Sequence, residues 1–285
     1  MKRADLHGEA GMGTNLTGET WGVSASAFLT AYLLLALVVT ALTLWYRSRV
    51  VAGDPAGVRT VDGRPEDVAY LNGGPALAVY AALSAMHVDG TVLTSDRTPG
   101  QVRAGGPVTR SATGLQRAIH RSAHRLIPCR SLGTHAAVAA ELHRIARRLE
   151  VAGLVLGAPG RDRLRSAAVA PGLVAALGLV RVLAGLANGR PVGALLAATL
   201  AMVAVTVLLG ARIPVRTRAG DEALRRVRER HPELAPSMRP DWTAIGPAAA
   251  ALSVGAFGLG AMLAAEPAFA EELAAQRAVA LGGRG

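Results

Sequence analysis

The apolar positions of this 285-residue chain gather into four long runs. The first covers residues 21–46 without a charge and is closed by Arg47 and Arg49. Runs at 166–188, 192–213 and 243–265 follow. About 20 apolar residues span the hydrocarbon core of a bilayer as a helix, so each run predicts a transmembrane helix. The first is too long for the apolar region of a cleaved leader. Trp21 at one end and Trp45 and Tyr46 at the other suit the two membrane interfaces, and the run reads as a retained anchor.

Charge then orients the spans. With four spans, residues 47–165 and 212–241 lie on one side and hold 25 of the 31 Lys and Arg and 14 of the 20 Asp and Glu. The opposite side is neutral. Basic residues favour the cytoplasmic side. This predicts an external N-terminal segment (1–20), a linker (47–64) and a cytoplasmic domain (65–165). An external hairpin turn, a cytoplasmic basic loop (214–242) and an external tail (266–285) complete the expectation, in a bacterial plasma membrane. The 51% apolar and 4% aromatic content excludes an ordinary soluble enzyme. All basic residues but Lys2 are Arg, a skew that fits GC-rich coding. The net charge of +11 is therefore read as topology and attraction to an anionic leaflet. The lone Cys129 forms no intramolecular disulfide and reads as a structural thiol.

Between the first two runs the pattern changes to short amphipathic elements. Pro65-Glu66-Asp67 starts a helix with acids at its positive end. That helix, 67–71, stops at Asn72-Gly73-Gly74-Pro75. A second, 76–87, aligns Leu77, Tyr80, Leu83 and Met86 on one face. Asp89-Gly90 turns the chain into a strand at 91–95, and 101–104 returns as its partner. Short helix, helix and hairpin outline half of a winged helix. Residues 114–126 and 134–151 predict two further helices, the latter apolar at Val138, Leu142, Ile145 and Leu149. Its exit, Val151-Ala152-Gly153-Leu154-Val155-Leu156, matches Val88-Asp89-Gly90-Thr91-Val92-Leu93 at four of six positions. A spacing of 63 residues between them predicts two related helical units. The expected fold is mainly α: four spans, with a winged-helix-like cytoplasmic domain between the first and second.

Few residues carry recognisable chemistry. His120 and His124 share a helix face, with Cys129, His135 and His143 nearby in sequence. No acid accompanies the pair, and Arg117, Arg121 and Arg125 crowd the same helix, so surface histidines are expected rather than a metal site. Arg181 is the charge inside an apolar run; it reads as snorkelling to the outer interface, with a binding or pairing role as the alternative. Asn188-Gly189-Arg190-Pro191 forms the turn between the second and third runs. Arg144, Arg147 and Arg148 form a basic interaction face. In the basic loop, 220–231 is amphipathic and is expected at the membrane surface. No phosphate loop, dinucleotide fingerprint or nucleophile motif is present, and no cofactor is expected.

Three stretches carry a resemblance: Asp67-Val-Ala-Tyr-Leu-Asn-Gly-Gly-Pro75, Leu179-Val-Arg-Val-Leu-Ala-Gly-Leu-Ala-Asn-Gly-Arg-Pro-Val192 and Thr217-Arg-Ala-Gly220. From about residue 20 to 270 the chain resembles an uncharacterised family of multi-pass membrane proteins of high-GC bacteria, a domain often followed by a Gly/Cys-rich tail. The resemblance implies a plasma-membrane protein with no established activity. Here the corresponding end is a short stub without cysteine. The leading expectation is a non-enzymatic scaffold whose partners are the bilayer and a cytoplasmic protein. A membrane-tethered nucleic-acid-binding regulator ranks second, because helix 76–87 has no basic residue to meet DNA. A transport or export component built on Arg181 ranks third.

Overall fold

The computed structural model describes residues 25–95, 100–189, 192–267 and 269–270. Residues 1–20, the first four residues of the first run, Arg190 and Pro191 of the hairpin turn, and 271–285 of the tail lie outside them. The chain forms α1 (Ala25–Ala52), α2 (Pro65–Val88), β1 (Val92–Thr94), β2 (Gln101–Ala104), α3 (Gly114–Ser122), β3 (Ile127–Pro128), α4 (Cys129–Leu132) and α5 (Ala136–Val151). Then come α6 (Ala158–Ser166), α7 (Val169–Ala187), α8 (Gly193–Ala211), α9 (Arg218–Arg230), α10 (Trp242–Ile245), α11 (Pro247–Phe257) and α12 (Leu259–Ala265). The described residues are mainly helical and divide into two compact units. One comprises the residues up to Arg47 with Leu164–Arg212; the other comprises Ser48–Arg163 with the chain from Ile213 onward.

The first unit contains most of α1 together with α7 and α8. These are the helices long and apolar enough to cross a membrane among those described. Leu34, Leu37, Leu42, Leu173, Leu183, Leu200 and Val207 are exposed around them. A helix apolar on all faces is stable against lipid or a protein core, and among the described residues nothing covers these surfaces. Where the helices meet, Tyr32, Val174, Ala175 and Met202 are buried. Gly178 leaves room for the Tyr32 ring, whose hydroxyl would lie 2.5 Å from a Cβ at that position. Arg47 closes the first run in a second sense. Its guanidinium donates to the carbonyls of Leu164 (3.2 Å), Leu209 (2.8 Å) and Arg212 (2.7 Å). The last two belong to the C-terminal end of α8, where carbonyls lack helical partners and a cation is favoured.

The second unit is built on α2 and α11. Ala78, Ala82 and Leu83 from α2 and Ala250, Ala251 and Val254 from α11 are fully buried in one core. Leu115 and Ile119 of α3 and Val138, Ile145 and Leu149 of α5 extend it. The sheet is antiparallel in the order β1-β2-β3, with Val92 opposite Ala104 and Val102 opposite Ile127.

Three expectations change. The run at 243–265 is not one continuous helix: Gly246 (φ 86°) and Gly258 (φ 77°) break it into α10, α11 and α12. Its longest helix has 11 residues, about 16 Å at 1.5 Å per residue, roughly half the hydrocarbon thickness. The supposed linker is partly folded, since Pro55–Arg59 forms a 3-10 turn and Val58 and Val61 enter the core. The apolar face of α9 (Ala219, Ala223, Leu224, Val227) is also consumed by that core and is not available to a bilayer.

The repeated exit motif has a local cause. Gly90 (φ 65°) and Gly153 (φ 69°) follow the ends of α2 and α5 in the left-handed conformation. Thr91 N–H then donates to Met86 O and Leu154 N–H to Leu149 O, both at 2.9 Å. Both helices therefore close with the same glycine cap.

Candidate functional site

Pro65 provides the first turn of α2 with a preset φ, and Glu66 and Asp67 follow it. Acids at a helix start are usually solvated; these two are only 6% and 3% exposed. Burial is possible because partners arrive from distant elements. Arg148 of α5 grips Asp67 with two hydrogen bonds, Nη2 to Oδ1 at 2.7 Å and Nε to Oδ2 at 3.3 Å. Arg64 stands 3.8 Å from Asp67 Oδ2. Thr113 Oγ1 donates to Glu66 Oε1. That threonine is also the N-cap of α3, accepting from Gln116 N–H at 3.1 Å, while its own N–H donates to Gln116 Oε1 at 3.0 Å. One buried acid pair thus ties the start of α2 to α3 and α5.

Electrostatics follow from burial. The Glu66 carboxyl is pushed up from 4.5 to about 7, chiefly by burial. The Thr113 hydrogen bond opposes that rise, the charges of Asp67 and Glu141 add to it, and Arg148 opposes it. Arg148 is raised, first by its hydrogen bond to Asp67, with burial opposing.

Two depressions flank the network and share Arg64, Asp67 and Arg148 in their walls. A cavity of about 310 Å³ brings Glu66, Thr113 and Glu141 together. A larger groove of about 750 Å³ runs between α5 and the Pro55–Arg59 turn. Its floor is apolar (Ala56, Gly57, Leu149, Ala152), Val151 at its edge is 86% exposed, and Arg147 lines it.

The residues singled out from sequence are therefore dispersed. Of the basic face, Arg148 is engaged by Asp67 and Arg144 by Glu141 at 2.5 Å, while Arg147 faces the groove. Arg181 lies in the other unit, 8% exposed, with its guanidinium 4.7 Å from the centroid of the Phe28 ring. Asn188 caps α7 and donates to Ala184 O at 2.6 Å, and Gly189 follows at φ 64°. His120 pairs with Gly106 O and His124 with Arg121 O, Cys129 is buried, and His143 lines a separate cavity. Among the described residues no three His, Cys, Asp or Glu converge on a metal-sized site. Sequence reading took Glu66 and Asp67 only as helix-start acids. Their partners lie 47 and 81 residues away, and no local pattern signals that pairing.

No family model, curated protein or solved structure matches this chain.

Proposed function

We propose that this protein is a membrane-anchored docking protein. In this reading α1, α7 and α8 cross a bacterial plasma membrane, and the second unit lies wholly on the cytoplasmic face. Segments sharing one core must share one side of a membrane, and the second unit draws on chain both before and after the α7–α8 pair. Three spans also sharpen the charge asymmetry. That side then carries 27 of the 31 basic residues, the N-terminal segment and hairpin turn carry three, and Arg181 lies within α7. Basic excess on the cytoplasmic face is the usual arrangement.

The observation that carries the docking role is the open groove beside α5, with an exposed apolar edge at Val151 and Arg147 in its wall. An apolar floor, with Arg64, Arg147 and Arg148 outnumbering Asp54 and Asp67 at the rim, fits an acidic protein segment that inserts an apolar side chain. We read the β1–β2 hairpin after α2, with α3 and α5, as a winged-helix-like module that serves protein docking. Nucleic-acid binding has less support, because Arg144 and Arg148 are engaged by internal acids. Photo-crosslinking in cells tests the proposal. A crosslinker at Val151 should give a defined protein adduct that Arg147→Glu removes, while one at the exposed Met238 should not. Equal adducts at both positions, or indifference to Arg147→Glu, would refute it.

A further inference from the structure

A second cavity, distinct from the groove, lies where α2 is interrupted. Gly73 (φ −139°, ψ 17°) and Gly74 (φ 71°, ψ −162°) leave helical geometry, dividing α2 into 65–72 and 75–88. The Gly74 conformation is essentially restricted to glycine, and such breaks recur at ligand clamps. Asn72 does not face an empty bend. Its amide donates to Gly255 O (3.1 Å) and Ala256 O (3.2 Å), and its carbonyl accepts from Arg228. The break is thus pinned against the end of α11 and persists as a built feature.

Around it opens a cavity of about 570 Å³, within the 300–1,000 Å³ range of small-molecule sites. Its apolar wall includes Pro75, Leu156 and Val215, and its polar groups come from four segments: Tyr70, His143, Glu150, Arg161 and Arg216. Two guanidiniums face one carboxylate. Arg216 is held only loosely, by Leu71 O at 3.4 Å and Asp221 at 3.3 Å, so most of its five donors remain available. Arg228, behind Asn72, is lowered from the ordinary arginine value, first by burial and then by Arg216. Tyr70, in the same wall, is raised by burial first and then by Glu150, with Arg161 opposing.

We propose that this cavity is a binding site for a small anionic ligand, a carboxylate or phosphate on a compact apolar body, with Arg161 and Arg216 holding the anion and Pro75, Leu156 and Val215 covering the body. A guanidinium pairs with either oxyanion through two parallel hydrogen bonds. The cavity shares no lining residue with the groove, although α5 contributes to both.

The test is calorimetric titration of the full chain in lipid nanodiscs with benzoate, phenyl phosphate and the neutral isostere benzamide. At least one anion should bind ten times more tightly than benzamide, and Arg161→Gln should lose about tenfold of that affinity, one charge-assisted contact. The stronger anion separates a carboxylate site from a phosphate site. Benzamide binding as tightly as both anions, or no anion binding at all, overturns the proposal without any variant. Unchanged affinity in a folded Arg161→Gln protein also overturns it.

Discussion

Glu66 is the residue at which the packing of the second unit becomes sensitive to pH. Its carboxyl titrates at about 7 in the folded chain against 4.5 ordinarily, because the charged form loses water. The folded state therefore binds this proton more tightly than the unfolded state. The resulting stabilisation is complete below pH 4.5, declines as pH rises, and is gone above about 7. The shift corresponds to roughly 3 kcal/mol. Glu66→Gln keeps an acceptor for the Thr113 hydroxyl and removes the titration. Thermal unfolding from pH 4.5 to 8 should show the variant losing less stability with rising pH, by about that amount. Parallel wild-type and variant curves would mean that Glu66 does not titrate in this window.

At the scale of elements, α2 and α5 are stopped by one device placed twice, and the two copies are not equally demanding. A Cβ at Gly90 would meet nothing within 4 Å. A Cβ at Gly153 would stand 2.7 Å from Asp54 N and 2.8 Å from Asp54 Cβ. Gly90→Ala therefore isolates the left-handed backbone penalty, about 1–2 kcal/mol. Gly153→Ala adds overpacking and should cost about 1–3 kcal/mol more. Denaturant unfolding of the two variants measures the difference, and equal losses would show that Asp54 yields without cost. The six-residue similarity is legible in sequence because a cap depends on one glycine and its neighbours. Whether the units preceding the two caps share an origin is a separate matter from this shared geometry.

For the whole molecule, the count of spans decides which surfaces meet the cytosol. Reporter fusions after Arg49, Arg218 and Gly285 should all read cytoplasmic, and a fusion after Asn188 external. An external reading at Gly285 would restore the fourth span and require α11 to leave the core it shares with α2. The reason sequence favoured four spans is physical. An all-apolar stretch suits lipid and the interior of a protein equally. Small side chains such as Ala250 and Ala251 are what allow α11 to lie close along α2.

Local chemistry, by itself, determined much of this protein. Three apolar helices, the arginines closing them, the break at Gly73-Gly74, the amphipathic face of α5 and the glycine caps all depend on residues within a few positions of one another. Tertiary structure alone decided the rest. It assigned the run at 243–265 to a core, turned the apolar face of α9 inward, and joined Glu66 and Asp67 to Thr113 and Arg148. It also divided the three arginines of α5 between internal acids and the groove. These outcomes depend on contacts across tens to hundreds of residues, which the periodicity of a single helix or strand does not encode.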